Sequence, residues 1–408
     1  MNLGARRGFI YTQLFLLTTI SYVDRAVLSV AAPYIADEFG ASPVQMGYLF
    51  SSFLWTYVLC LIPVGLMVDR WGARGVAAGG IGLWSLATVV TGAVNSFGAI
   101  LATRLALGVG ESTAYPAGVR VVRESAPVRE RGLATAFLNG GSYAGPAVGA
   151  LLTGWLVATL GWRWSFVIAG LLGFLWLVPW LVWYRPARTG QGSDALPPTP
   201  VRGGTLRSLG QLLRRREILA MALTQGCAVY TQYLFLTWLP SYLQAARGLN
   251  VQSAGLYTAI PYAASVVLAF AACYTSDRLM KPAAIERGQR RGMVALMLMC
   301  SAVVLLAPVV QSTGTITLLF AISLTGISSA ISLNFALASD LLHTPGDIGK
   351  VTGILVLGGN VFGILAPIVT GYVVEGTGSY SGAFLIAGGL LVVGAASVLM
   401  LARPRRAV

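Results

Sequence analysis

Gly65-Leu-Met-Val-Asp69-Arg70-Trp71-Gly72-Ala-Arg74-Gly75 lies between two long apolar runs, and a weaker copy, Thr275-Ser276-Asp277-Arg278-Leu279, lies between two others. A short charged turn between apolar runs of roughly 20 residues marks a chain leaving a bilayer and re-entering it. The composition agrees. Of 408 residues 56% are apolar and 10% charged, against about 25% charged in an ordinary soluble domain, and the mean hydropathy is +0.74. A soluble globular enzyme and a disordered chain are both excluded. Working outward from the turn, spans are expected at 9–32, 46–68, 76–94, 97–119, 132–158, 164–184, 218–244, 252–275, 292–311, 314–339, 350–374 and 380–402. The expected fold class is an all-α polytopic membrane protein of twelve transmembrane helices, arranged as two pseudo-symmetric six-helix bundles.

The charges orient these spans. The net charge is +14. With both termini inside, 24 of the 28 Lys/Arg fall on the cytoplasmic side, while Arg163 and Arg247 fall outside. This is the positive-inside asymmetry. It accounts for the basic surplus without nucleic acid and leaves the lipid bilayer, including anionic headgroups, as the partner. The first apolar run carries Asp24-Arg25 and lacks a small-residue cleavage site, so it is expected to be a retained span. The expected location is a bacterial cytoplasmic (inner) membrane. Cys60, Cys227, Cys273 and Cys300 are scattered within spans, and His343 is the only histidine, so no metal site is expected. No cofactor is expected either, and the protein is expected to be a monomer and not an enzyme.

The chain repeats. Thr153-Gly-Trp-Leu-Val157 echoes Thr370-Gly-Tyr-Val-Val374 at an offset of 217, and Phe166-Val-Ile-Ala-Gly170 echoes Phe384-Leu-Ile-Ala-Gly388 at 218. Asp69-Arg70 and Asp277-Arg278, and also Gly47 and Gly255, are offset by 208. Offsets that drift by only a loop length indicate duplication of a six-helix unit. The expected organisation is an N-terminal bundle over 1–184, a cytoplasmic linker over 185–217 rich in Pro, Gly and Arg, and a C-terminal bundle over 218–408. A short amphipathic helix near 205–215 is expected within the linker. Two six-helix halves joined in this way build a secondary transporter with its site near the midplane.

Four charges remain inside the spans: Asp24, Arg25, Arg104 and Glu111. Each costs about 2.5–3.5 kcal/mol at the bilayer centre, so the four together cost on the order of 10 kcal/mol unless paired or solvated. Two acids and two bases cancel formally. Arg104 and Glu111 are seven apart and share a helix face, with Gly108 and Gly110 between them expected to leave that face open to a cavity. A carboxylate in low dielectric can take up a proton. A guanidinium stays charged and binds a carboxylate through two N–H groups. The set suits proton-coupled anion transport.

The Gly65–Gly75 turn resembles the G-x-x-x-D-R-x-G-x-R signature of the major facilitator superfamily. Here Gly65 is expected to permit close helix approach, and Asp69, Arg70, Arg74, Asp277 and Arg278 to act in gating. Tyr22-Val-Asp24-Arg25-Ala-Val-Leu-Ser29, Gly47-Tyr-Leu-Phe50-Ser51-Ser-Phe53-Leu-Trp55-Thr-Tyr57, Arg104-x6-Glu111-x4-Pro116, Tyr233-Leu-Phe235-Leu-Thr-Trp238-Leu-Pro240 and Gly359-Asn360 resemble spans 1, 2, 4, 7 and 11 of its anion:cation symporter family. The likeness covers nearly the whole chain. That family includes bacterial importers of galactonate, glucarate and hexuronates. The resemblance implies that Asp24 and Glu111 are proton-coupling acids, that Arg25 binds the substrate carboxylate, and that Arg104 partners the span-4 acid and borders the substrate. Tyr57 and Asn360 are implied to line the cavity. Ser142, where sugar-acid members often carry Gln, and Gln225 and Tyr233 of span 7 complete the substrate set. The expected function is proton-coupled uptake of a small organic anion, a sugar acid or other hydroxy-monocarboxylate. The alternative is a proton-coupled exporter of drugs or lipophilic compounds, because Gly132-x8-Gly141-x3-Gly145-Pro146-x2-Gly149 resembles the span-5 signature of drug:proton antiporters.

Overall fold

The structure, a computed structural model, describes residues 3–185, 210–279, 289–341 and 347–402. Among them are α1 (Leu3–Phe39), α2 (Pro43–Trp71), α3 (Ala73–Thr91), α4 (Phe97–Glu111), α5 (Ala114–Ser125), α6 (Arg131–Leu160) and α7 (Trp162–Trp183). The series continues with α8 (Arg216–Ala245), α9 (Val251–Leu279), α10 (Arg290–Ser301), α11 (Thr313–Leu341), α12 (Ile348–Thr377) and α13 (Ser381–Leu401). No strand occurs among the described residues. Nine of these helices are long and apolar enough to cross a membrane. The others are α4, α5 and α10, which are short, and α8, which is long but rich in Thr, Gln and Tyr. Most of the expected linker lies outside the described residues, as do His343 and Arg403–Arg406.

Two expected spans are interrupted, the first just ahead of a proline. Span 4 is broken at Ser112–Thr113 into α4 and α5. Pro116 has no N–H for the Ser112 carbonyl, and its ring crowds that carbonyl. The Ser112 and Thr113 hydroxyls donate back to the carbonyls of Val109 and Gly110, at 2.7 and 2.8 Å. Span 9 leaves the α-helix at Ser301 and continues as a 3-10 turn over Ala302–Leu306, just ahead of Pro308.

The described residues fall into two compact units, one holding 3–185 with Leu236–Tyr262 and the other 210–235 with the described part of 263–402, so α8 and α9 each contribute to both. In the first unit, glycine sets the closest approaches. A Cβ at Gly141 would lie 2.4 Å from the Phe15 carbonyl oxygen, at Gly145 2.5 Å from Tyr22 Cβ, and at Gly149 2.8 Å from Ala26 Cβ. The span-5 glycine stripe is therefore the surface on which α1 packs, a small-xxx-small contact. Gly132, which begins that sequence pattern, has open space around it.

The same logic corrects two expectations. A Cβ at Gly108 would lie 2.1 Å from the Phe53 carbonyl oxygen, and one at Gly110 2.7 Å from the Gly80 carbonyl oxygen. These glycines close α4 against α2 and α3 and do not open its face to a cavity. Gly65 meets nothing within 4 Å and mediates no close approach. Within the same turn it is Gly72 that carries the constraint. Its φ of 84° lies in the left-handed region, which glycine adopts without strain, and it joins α2 directly to α3.

Candidate functional site

Packing of α1 on the α6 stripe carries Asp24 and Arg25 to the end of α4, where the break at Ser112 leaves Glu111 as the last helical residue. All four intramembrane charges are buried. Asp24 and Glu111 have no exposed surface, Arg104 is 1% exposed and Arg25 8%. Arg25 donates from Nε and Nη2 to the same Glu111 oxygen, Oε2, at 3.0 and 2.7 Å. The other Glu111 oxygen, both Asp24 oxygens, and Arg104 Nε and Nη1 have no hydrogen-bond partner among the described residues. Asp24 lies within electrostatic range of Glu111, Arg104 and Arg25. The cluster therefore sums to zero charge, and among the described residues it holds the hydrogen-bonded Arg25–Glu111 ion pair and a carboxylate with unused acceptor capacity.

The resemblance had implied Arg104 as partner of the span-4 acid. Arg25 occupies that place instead. Two helical turns separate Arg104 from Glu111 along α4, about 10 Å, whereas close packing brings α1 directly alongside. The two guanidiniums share one ring, Arg25 Cζ lying 4.7 Å and Arg104 Cζ 5.7 Å from the Phe53 centroid. Arg25 also stands 4.4 Å from the Tyr22 ring and 5.8 Å from the Tyr57 ring. Cation–π contacts of this kind add to the ion pair in holding the guanidinium. Tyr115 and Tyr143 complete the surroundings, and the Tyr115 hydroxyl donates to Asn139 Oδ1 at 2.8 Å. Asn139 is exposed, and Tyr57, Tyr115 and Tyr143 are half-buried. Ser142 is buried, and its hydroxyl donates back to the Asn139 carbonyl at 2.6 Å.

The polar residues expected from spans 7 and 11 lie in other elements. In the second unit Gln225 of α8 is buried, and its Oε1 accepts from Asn334 Nδ2 of α11 at 3.0 Å. Asn360, half-buried, follows Gly359 of α12, where an added Cβ would lie 3.6 Å from Gln225 Cγ. Tyr233 is buried in α8. The structure thus groups Asp24, Arg25, Arg104, Glu111 and Tyr57 in the first unit, and Gln225 with Asn360 in the second.

At the expected gate, Asp69 and Arg70 are exposed, and their side chains form no hydrogen bond or ion pair among the described residues. Arg74 donates to the Leu181 carbonyl, and Trp180 Nε1 donates to the Arg74 carbonyl at 3.1 Å, so this arginine ties α3 to α7. Arg278 is exposed and stacks at 4.8 Å over Tyr274, while the Asp277 side chain lies outside the described residues. The end of α2 is held by a residue the sequence did not suggest. Arg120 of α5 donates to the Val68 carbonyl and pairs with Glu124 at 2.6 Å. Asp340, at the end of α11, pairs with Arg290 at 2.7 Å. No group of three or more His, Cys, Asp or Glu that could hold a metal occurs among the described residues.

Phe53, Tyr115, Asn139 and Asn334 were not singled out as site residues from the sequence. Tyr115 carried a signal, standing four residues after Glu111 and directly before Pro116. Asn334 was visible only as an amide inside a span.

The model of the Major Facilitator Superfamily matches residues 14–347. A probable galactarate/D-glucarate transporter, GudP, of Bacillus subtilis (strain 168) is 31% identical, over 98% of this chain and 92% of its own. A D-galactonate transporter of Escherichia coli O6:H1 is 30% identical, over 98% of this chain and 96% of its own. Among solved structures, a bacterial homologue of the human lysosomal transporter Spinster, inward-facing and occupied, superposes with a TM-score of 0.77 at 18% identity, covering 98% of this chain and 97% of its own.

Proposed function

We propose that this chain, which belongs to the Major Facilitator Superfamily, is a proton-coupled symporter that takes up a small organic anion, a sugar acid or other hydroxy-monocarboxylate. The relatives' named substrates support the anion class. The observation that carries the reading is the buried Arg25–Glu111 pair beside a carboxylate, Asp24, that has no hydrogen-bond partner among the described residues.

A substrate carboxylate and the Glu111 carboxylate seek the same guanidinium. While Glu111 is ionised it occupies Arg25 through two N–H donors. A proton on Glu111 removes the charge that holds the pair and releases the fork for the substrate. Asp24, within electrostatic range of both arginines, is the second acid that can take up a proton. The empty cluster sums to zero, and one proton with each monovalent anion keeps it at zero. A neutral sum lowers the desolvation penalty of carrying the complex through the membrane. Tyr57 and Ser142 in the first unit, and Gln225, Tyr233 and Asn360 in the second, each offer hydroxyl or amide groups suited to a hydroxylated anion, and Asp69, Arg70, Arg74, Asp277 and Arg278 act in gating. The protein resides in a bacterial cytoplasmic membrane as a monomer, with both termini inside, the orientation that its Lys/Arg distribution supports. Protons are the coupling ion, and no other cofactor takes part.

The test is uptake into proteoliposomes with D-galactonate and D-glucarate as probes. An inward proton gradient should drive accumulation above equilibrium, and a protonophore should abolish it. Uptake unaffected by the gradient, or no uptake of either acid, would refute the proposal.

A further inference from the structure

The second unit holds a buried amide, Asn334, that the transport scheme above does not use, paired with Gln225, which the scheme does use. Asn334, 1% exposed, donates from Nδ2 both to the Met221 carbonyl and to Gln225 Oε1, each at 3.0 Å. The orientation of both amides follows from chemistry. A backbone carbonyl only accepts, so the Asn334 atom facing Met221 must be the nitrogen. That nitrogen's other hydrogen meets Gln225, so the Gln225 atom it reaches must be the oxygen. Gln225 Nε2 is left as the outer end of the pair, with no hydrogen bond of its own among the described residues, while Asn334 Oδ1 is buried without a partner there. The stem is held as well, since Gly359 of α12 brings its backbone against Gln225 Cγ, where a Cβ would lie 3.6 Å away. An amide that could present either an acceptor or a donor is thereby restricted to presenting donors.

We propose that Asn334 is a positioning residue that fixes the Gln225 amide with its Nε2–H donors turned to the substrate, so that Gln225 reads an acceptor oxygen of the anion. The inference rests on the organic-anion reading and adds to it the polarity of one contact. Ligands with a carboxylate, carbonyl or ether oxygen at that position are favoured, and ligands bearing an ammonium or amide N–H there are rejected.

The experiment is a double-mutant cycle on purified full-length protein, measuring the Kd of D-galactonate and D-glucarate and the melting temperature without ligand. Gln225→Leu and Asn334→Leu should each weaken binding by on the order of tenfold, the effect of one hydrogen bond to an anion. The double variant should bind no more weakly than Gln225→Leu alone. Additive losses, or an unchanged Kd in Gln225→Leu, would overturn the proposal. Should Asn334→Leu fail to fold, the near-isosteric Asn334→Asp carries the test. Its carboxylate can only accept, so it draws Gln225 Nε2 inward and turns Oε1 outward. The resulting loss of binding should be larger in the presence of Gln225 than in a Gln225→Leu background, where only the added charge acts, and equal losses would overturn the proposal. Wild-type protein that binds neither acid would refute the organic-anion reading itself, a result distinct from wild-type binding that Gln225→Leu leaves unchanged.

Discussion

Glu111→Gln tests the competition for Arg25 directly. The substitution keeps the shape of the side chain and removes the charge that engages two donors of Arg25 at 3.0 and 2.7 Å. Hydrogen bonds to a charged group contribute about 1.5–3 kcal/mol net. In the wild type at alkaline pH an incoming carboxylate must displace that bond before it can bind, and in the variant it meets a guanidinium held only by a neutral amide. At about 1.4 kcal/mol per decade, the variant should bind the anion about 10- to 100-fold more tightly than the wild type at alkaline pH. Because a protonated Glu111 makes the same neutral contact with Arg25 as the glutamine does, any gain in wild-type affinity on the acid side should be absent from the variant, whose Kd should be far less sensitive to pH. The assay is titration calorimetry in detergent with D-galactonate and D-glucarate at acidic and alkaline pH. Proteoliposomes should show that the variant retains anion exchange and loses gradient-driven accumulation. A variant that binds no more tightly than wild type at alkaline pH would refute the competition.

Four further outcomes follow from the geometry. Arg25→Lys replaces a planar fork with a point charge, so anion affinity should fall at least about tenfold even though the charge is kept, as measured by the same calorimetry. Gly145→Val would press a branched side chain against Tyr22 Cβ and the Thr19 carbonyl, 2.5 and 2.6 Å from the added Cβ, and should destabilise by about 1–3 kcal/mol or more in thermal melts. Gly132→Ala, which meets open space, should be neutral or gain up to about 1 kcal/mol of helix propensity. Arg163→Ala breaks contacts to Glu38, Asn95 and the Val94 carbonyl at a partly exposed site, so it should lower stability by about 1 kcal/mol or less and leave transport intact.

The fold class, the topology signal and the identity of the four buried charges were legible in the sequence for one physical reason. A bilayer excludes charge and demands runs of about 20 apolar residues, so each departure from that rule stands out in one dimension. Asp24, Arg25, Arg104 and Glu111 could be singled out without any structure, as could the duplicated turn at Asp69 and Asp277. The breaks at Ser112 and after Ser301 were not marked by Pro116 and Pro308 alone, since Pro33, Pro63 and Pro146 sit inside continuous helices.

Which charge meets which was decided by tertiary packing. Helical spacing placed Arg104 and Glu111 on one face but left them two turns apart, and no spacing within α4 could announce that α1 would deliver Arg25. That outcome depends on the depth to which Gly141, Gly145 and Gly149 let two helices sink together, a distance fixed by both partners at once. For the same reason glycine alone could not distinguish an open face from a crowded one: Gly108 and Gly110 looked like space and are contacts, whereas Gly65 looked like a contact and borders space. The orientation of Gln225 is likewise beyond the sequence. It is set by Asn334, 109 residues away, and by a backbone carbonyl that can only accept.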